Sequence, residues 1–215
     1  MKIQSLIPAI PLLFTLALLN PRKAMADGTN TPAAEVTPQS SAPVTNTAVS
    51  AATKSSDLIS HELPEIHGSI SLPKEWTLLP GKLLEGDVLL AAKEKITGEN
   101  DPYTSGLSMT LDRNGAKDSG QKASDYAMVL AREARDKAGE EASPLRESQN
   151  GPFHEVSFDF PVPGDQPLQI TEVLRSNEKT GTLAVILWQT PKEEAVALQP
   201  LRDAILSNLK LDPQK

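Results

Sequence analysis

The apolar residues of this 215-residue chain are distributed so unevenly that only part of it can form a hydrophobic core. Residues 27–57 are rich in Thr, Ala, Ser and Pro and contain no aromatic residue, no Leu and no Ile. Such a segment cannot bury enough apolar surface to offset the conformational entropy that folding removes. We therefore predict a disordered linker over residues 27–57 and a single folded domain over residues 58–215.

Residues 1–26 have the pattern of a secretory signal peptide. Lys2 precedes an uncharged, mostly apolar run over residues 5–19, and Ala24-Met25-Ala26 is a small-x-small cleavage site. A helix of that run would be roughly 22 Å long, whereas a bilayer core is about 30 Å thick. Two basic residues just before the cleavage site are atypical of a signal peptide, so an uncleaved N-terminal membrane anchor is the alternative. We expect cleavage, a periplasmic or secreted location, and no membrane span in the mature chain.

Composition excludes several classes of function. The chain has no cysteine, so disulfides, thiolate catalysis, cysteine-bound zinc and iron–sulfur clusters are ruled out. Its net charge is −7, and removal of residues 1–26, which carry three basic residues and no acid, would leave −10. An acidic chain without a Lys/Arg cluster is a poor candidate for binding nucleic acid or an anionic membrane surface. We predict no nucleic-acid partner.

The folded region alternates between strand-like and helix-like patterns. Apolar residues at every second position predict strands, and spacings of three and four predict helices. Strands are expected within 67–81, 106–115, 152–160, 168–177 and 182–190, a strand or helix over 87–96, and helices over about 120–139 and 191–209. Short loops between successive strands imply antiparallel pairing. The predicted fold class is α+β, with an antiparallel sheet sandwiched between helices.

Four local patterns give more detailed expectations. Residues 182–190 are apolar on both faces, which is typical of the centre of a sheet. Pro80-Gly81 is expected to end a strand, and Thr190-Pro191-x-Glu193 is expected to cap the start of the last helix. Pro200 lies inside that helix and should kink or split it.

The chain resembles the PsbP-like fold group, which includes small exported bacterial proteins. The features that carry the resemblance are the opening Ser71-Leu72-Pro73-Lys74-Glu75-Trp76, the mid-chain helix, the apolar strand ending in Trp188-Gln189-Thr190-Pro191, and the final helix to Leu209. It covers about residues 64–213. The resemblance implies a central antiparallel sheet between helices and a binding or assembly role without catalysis. It carries no functional residue over to this chain.

No constellation of reactive residues predicts catalysis. Ser-x-x-Lys occurs at Ser71, Ser119, Ser176 and Ser207, and Lys179-Thr180-Gly181 is also present. The four serines stand in unrelated contexts and the Ser-Asp-Asn motif of penicillin-recognising enzymes is absent, so the pattern does not predict such an enzyme. His154 lies in a predicted strand on the same face as Val156 and Phe158, which favours a partly buried structural role over that of a catalytic base. His61 and His67, with Glu62 and Glu65, match no standard metal site.

The remaining candidates also favour structural roles. Glu140/Glu141 and Glu193/Glu194 are consecutive, so their side chains diverge instead of forming a catalytic pair. No glycine-rich phosphate loop is present. Trp188 fits a core position, whereas Trp76 fits either a core or a ligand groove.

We therefore predict no enzyme activity and no catalytic, cofactor-binding or metal-binding residue. The function predicted from the sequence is an exported interaction or assembly domain that binds an envelope or secreted protein partner. A periplasmic small-molecule or lipid carrier is the alternative, followed by an atypical hydrolase.

Overall fold

The computed structural model of the protein describes residues 57–83, 86–98 and 101–211. The predicted signal peptide and all but the last residue of the predicted linker lie outside these residues. Within them, ten strands form a seven-stranded and a three-stranded sheet. The strands are β1 Leu58–Leu63, β2 Gly68–Pro73, β3 Thr77–Leu83, β4 Gly86–Ala92, β5 Gly106–Asp112, β6 Arg146–Asn150, β7 Phe153–Val162, β8 Leu168–Asn177, β9 Thr182–Pro191 and β10 Lys210–Leu211.

Three α-helices and two single 3-10 turns complete the described elements. The helices are α1 Gly115–Ser119, α2 Ala123–Ala138 and α3 Ala195–Asn208, and the 3-10 turns are Pro64–Ile66 and Lys192–Glu194. All strand pairs are antiparallel. The large sheet has the order β3-β4-β5-β9-β8-β7-β6, and the small sheet has the order β1-β2-β10.

The strand β9 lies in the middle of the seven-stranded sheet, as its apolar residues predicted. Ala184, Ile186 and Trp188 point to one face, where they pack with Leu201 and Ile205 of α3. We call this side the α3 face; the small sheet contributes to its cover. The other side of β9 is covered by a helix as well, with Leu183 in the core there. Because both faces of this strand are shielded from water, its sequence does not alternate between apolar and polar residues.

The opposite side of the sheet, which we call the α2 face, is covered by α2. Ala127 and Ala131 of the helix pack on Val156, Leu174 and Leu183 of the strands. Alanines let the helix backbone approach the sheet closely, so the contact is well filled without large side chains. The predicted α+β sandwich, with an antiparallel sheet between helices, is confirmed.

Pro80-Gly81 does not end a strand, contrary to the prediction. The strand β3 continues to Leu83 and pairs with β4 along its whole length. It forms one edge of the sheet, with a strand neighbour on one side only. Proline, which lacks a backbone N–H, is tolerated at a sheet edge because that donor is not needed there.

The predicted cap at Thr190 is also wrong. Thr190 remains in β9 opposite Gln169, and α3 begins at Ala195 after the 3-10 turn, with no side-chain hydrogen bond capping it. Pairing with β8 holds the threonine in extended conformation, which outweighs the local capping signal. Pro200 does not split α3, which is continuous to Asn208.

Candidate functional site

An open cleft of about 270 Å³ lies on the α3 face, between the helix α3 and the strands β6, β7 and β8. Three arginines, two acids and several hydroxyl or amide groups line it, together with a few apolar side chains. We call it the arginine cleft. Its lining residues are Arg146, Asn150, Glu155, Ser157, Thr171, Val173, Arg175, Arg202, Asp203, Leu206 and Ser207.

Arg175 forms the floor of the arginine cleft and is only 2% exposed. Its Nε lies 2.7 Å from Oε1 of Glu155, directly opposite on β7. Its terminal nitrogens donate to the carbonyl oxygens of Leu206 (3.0 Å) and Leu209 (3.2 Å), at the end of α3. Burial lowers the pKa of Arg175, and the ion pair with Glu155 opposes that shift. The guanidinium therefore joins the sheet to the carbonyl-rich end of a helix, where a cation is favoured.

Asp159 organises the second half of the cleft. Its carboxylate lies 2.8 Å from Nη2 of Arg146 and accepts a 2.6 Å hydrogen bond from the Thr171 hydroxyl. Arg202 of α3 donates to the same hydroxyl at 2.9 Å and pairs with Asp203, also at 2.9 Å. Strands and helix are thus linked by a continuous polar network that runs from Arg146 through Asp159 and Thr171 to Arg202.

The positions of these side chains follow from strand alternation. Glu155 and Asp159 lie on one face of β7, and their cross-strand partners Arg175 and Thr171 lie on the same face of β8. The three arginines of the cleft were not predicted from the sequence. The sequence did contain an indication of Arg175. This residue is two and four positions from Val173 and Thr171, so all three share one face of the strand, and Arg175 is therefore a charge that faces inward.

The cleft concentrates one residue type. Six arginines lie in the described residues, and three of them line it. Each of these guanidiniums has a carboxylate partner, so the local charge is nearly balanced. The arrangement offers fixed hydrogen-bond donors of the kind that recognise carboxylates, amides and carbonyls of another molecule. Its carboxylates are paired with arginines, and the Thr171 hydroxyl is held between Asp159 and Arg202.

A second inward-facing charge lies three residues away on the opposite face of the sheet. Glu172 is 6% exposed, and its cross-strand neighbours are Phe158 and Leu187. No hydrogen bond or ion pair joins it to any described residue. Burial raises the pKa of Glu172 to about 7. Glu172 was not predicted from the sequence either, although it lies on the same strand face as Ile170 and Leu174.

The three histidines do not form a site. His154 lies 3.1 Å from the Glu147 carboxylate through Nε2, and its Nδ1 is buried without a hydrogen bond. Ser176 lies opposite it on β8, but this serine is fully buried and its hydroxyl donates to the backbone carbonyl of His154. The arrangement has no accessible nucleophile. His61 is on β1 and His67 follows the first 3-10 turn in a left-handed conformation (φ 48°).

Other candidates from the sequence are dispersed. The four Ser-x-x-Lys serines lie on β2, α1, β8 and α3. Glu140 and Glu141 follow α2, and Glu193 and Glu194 lie in the second 3-10 turn. Among residues 57–83, 86–98 and 101–211, no three His, Asp or Glu side chains converge as a metal site would require.

Both tryptophans belong to the core. The rings of Trp76 and Trp188 stack with centroids 5.7 Å apart, and they are 9% and 2% exposed. The core interpretation of Trp188 is confirmed, and Trp76 does not line a groove. No helix of the described part of the chain is long and apolar enough to cross a membrane.

Solved structures of similar fold are known, whereas comparisons of the sequence give no match. No protein-family model matches the sequence, and no curated protein matches it either. In fold, the chain is similar to a cyanobacterial PsbP. That protein, CyanoP from Synechocystis sp. PCC 6803, gives a TM-score of 0.48 at 12% identity, over 73% of this chain and 93% of that chain.

Two further solved structures are similar. A mutant of the protein Mog1 gives a TM-score of 0.43 at 13% identity, over 72% of this chain and 95% of that chain. A Pseudomonas aeruginosa protein of unknown function gives 0.40 at 12% identity, over 74% of this chain and 98% of that chain. The resemblance to the PsbP-like fold group is confirmed as a likeness of fold. At these identities and TM-scores it transfers no activity, partner or site.

Proposed function

We propose that this protein is an exported, non-catalytic domain that binds an envelope or secreted protein partner through the arginine cleft. The observation that carries the proposal is the convergence of Arg146, Arg175 and Arg202 on one open, polar cleft. Arginine is enriched at protein interfaces, because its planar guanidinium forms several directed hydrogen bonds and is less strongly hydrated than the ammonium group of lysine.

The network behind the cleft supports recognition because it holds the donors in place before binding. Arg175 is fixed by Glu155 and by two carbonyl oxygens of α3, and Arg202 is fixed by Thr171 and Asp203. Donors that are already ordered lose little side-chain entropy when a partner binds. Balanced charge favours a partner surface of mixed polarity over a strongly charged polymer.

The geometry favours binding of a protein over the two alternatives. A lipid or small-molecule carrier needs an enclosed and mainly apolar cavity, typically about 300–1,000 Å³. The arginine cleft is open, polar and about 270 Å³. A hydrolase needs an accessible nucleophile beside a base, whereas Ser176 next to His154 is fully buried.

Export through a cleaved signal peptide over residues 1–26, followed by a spacer over residues 27–57, is part of the proposal. It rests on the apolar run and the cleavage motif of the sequence. The mass and N-terminal sequence of the protein isolated from the envelope or culture medium test it. We expect a mature N-terminus at Asp27; an intact N-terminus in the cytoplasm would contradict export.

Crosslinking capture from the envelope fraction of the source organism tests the binding function. The bait is the purified protein, and unlabelled protein is the competitor. The test variant is Arg146→Ala, since this side chain is half exposed and its loss leaves the core intact. Arg132→Ala on the exposed surface of α2 is the matched control.

A single saturable partner that is competed by free protein, lost with Arg146→Ala and kept with Arg132→Ala would support the proposal. Equal capture by both variants would show that the partner binds elsewhere. No saturable partner for the unmodified protein would contradict a binding function in the envelope.

A further inference from the structure

The strand β6 is an open edge of the large sheet, next to the arginine cleft. Its only strand neighbour among the described residues is β7, and all five of its residues are exposed. A backbone edge of this kind presents N–H and carbonyl groups that another strand can satisfy. At the opposite edge of the sheet, Pro80 removes one such donor from β3. The strand β6 contains no proline and no lysine, so the edge beside the cleft lacks these common obstacles to pairing.

The geometry points to β6 as an acceptor for an extended segment of the protein partner, which adds to the sheet as an eighth, antiparallel strand. This inference rests on the proposed function and specifies how the partner is bound. Main-chain hydrogen bonds to the edge supply affinity in this mode, and alternate side chains supply specificity. The strand direction follows the sheet, in which all pairs are antiparallel.

The charges of β6 specify which segment fits. Arg146 is paired with Ser157 and faces the arginine cleft, whereas Glu147 is paired with Val156 and faces the other side of the sheet. Arg146 lies 2.8 Å from Asp159 and Glu147 lies 3.1 Å from His154, but their side chains are 50% and 58% exposed, so each can contact a further neighbour. Cross-strand pairs of opposite charge are favourable and like charges directly opposite are unfavourable. The partner strand therefore carries an acid opposite Arg146 and a base opposite Glu147.

In an antiparallel strand this pattern reads as a basic residue followed by an acidic residue. The residues before that pair lie opposite Ser148, Gln149 and Asn150, and their only requirement is a preference for the extended backbone conformation. A segment such as Val-Thr-Val-Lys-Glu meets both conditions. No apolar side chain of β6 contributes to such a contact, so the expected affinity for an isolated peptide is low, and tight binding of the intact partner requires the adjoining cleft as well.

Two peptides of identical composition test the inference by NMR titration of the purified protein. The first is acetyl-Val-Thr-Val-Lys-Glu-amide. The second, acetyl-Val-Thr-Val-Glu-Lys-amide, exchanges the two charges and places like charges opposite Arg146 and Glu147. We expect the first to bind roughly tenfold more tightly, since two cross-strand pairs change from favourable to unfavourable. Equal affinities, or no change in the β6 amide signals, would overturn the inference.

Hydrogen exchange identifies the binding mode itself. At about 90% saturation with the first peptide, alternate amides of β6 should exchange up to about tenfold more slowly, because exchange then proceeds through the free tenth of the protein. Peptide binding without slower exchange in β6 would mean that side chains alone are contacted, which would refute strand addition.

A pair of proline variants supplies a second test. Neighbouring residues of a strand direct their N–H groups to opposite sides, so one of Ser148→Pro and Gln149→Pro removes only an outward donor. The variant whose melting temperature is unchanged is the one that has lost the outward donor. This variant should no longer bind the first peptide. Unchanged peptide binding by this variant would overturn the inference.

Failure of strand addition and failure of the proposed function give different results. If the Arg146-dependent partner is captured but its complex leaves the β6 amides unprotected, the binding function stands and strand addition is refuted. If β6 amides are already protected in the free protein, the edge is occupied before the partner binds, and the inference is equally refuted.

Discussion

Replacement of Glu172 by Gln should make the stability of the protein less dependent on pH. The Glu172 carboxyl is 6% exposed, lies between Phe158 and Leu187 on the sheet, and has no hydrogen-bond partner among the described residues. An ionised carboxylate in this position loses its hydration without compensation. Burial therefore raises its pKa from 4.5 to about 7, and no neighbouring charge contributes to the shift.

The sign follows from proton binding by the folded and unfolded chains. Below pH 4.5 both bind the proton, so Glu172 has no pH-dependent effect. Between pH 4.5 and 7 only the folded chain retains it, so stability falls as the pH rises, and the loss is complete above pH 7. A difference between 4.5 and about 7 corresponds to a loss on the order of 3 kcal/mol at pH 8. Glutamine has nearly the same shape and cannot ionise.

Urea unfolding of both proteins at pH 5 and pH 8 measures the effect. We expect Glu172→Gln to be more stable than the unmodified protein at pH 8 and to lose most of that advantage at pH 5. The change in the stability difference should be about 2–3 kcal/mol. Other titrating groups are common to both proteins and cancel. Glu141→Gln, in an exposed loop, is the control and should show no pH-dependent difference. A stability difference for Glu172→Gln that is the same at both pH values would refute the argument.

Three further predictions concern stability and are checked by thermal and urea unfolding. Arg175→Met should lower the free energy of unfolding by about 3–5 kcal/mol, because it leaves Glu155 without its partner and two carbonyls at the end of α3 without donors. By comparison, Lys93→Met breaks an exposed 3.9 Å pair and should lower it by less than about 0.5 kcal/mol. Similar losses for the two variants would show that Arg175 is not an essential link. Trp188→Ala should cost about 3–5 kcal/mol because the ring is buried and stacked, and a loss below about 1 kcal/mol would contradict a core role. Pro200→Ala should stabilise the protein by about 1–2 kcal/mol by restoring a helix donor, and a lower melting temperature would show that the ring makes compensating contacts.

The strands that could be predicted are those whose residues face a core. The strand β7 alternates and β9 is mostly apolar because one or both of their faces are buried, so their patterns reflect the fold directly. The strand β6 could not be predicted, because its sequence Arg-Glu-Ser-Gln-Asn has no apolar period and every residue is exposed. It exists because β7 offers it an edge. For the same reason the local cap signal at Thr190 failed, since pairing with β8 determines the conformation of that residue.

The candidate site was only partly predictable for a related reason. The strand β7 could be predicted from its sequence, but the arginines that its acids contact come from other elements. Arg146, Arg175 and Arg202 lie on β6, β8 and α3, far apart in sequence, and only the register of the sheet and the position of α3 bring them together. A charged residue at an inward-facing strand position was the available signal, and both Glu172 and Arg175 carried it.

These two residues show how the same local pattern leads to different roles. Arg175 and Glu172 are charged side chains on one strand, three positions apart and on opposite faces. Arg175 meets a carboxylate and two carbonyl oxygens, so its charge is stabilised and it fixes the helix that borders the cleft. Glu172 meets apolar side chains, so its charge is not stabilised and it makes the fold sensitive to pH. A binding surface requires charges that are ordered and partly satisfied before the partner arrives. By that criterion the α3 face, with its arginine cleft and the open edge of β6, is where a partner should bind, and the α2 face is not.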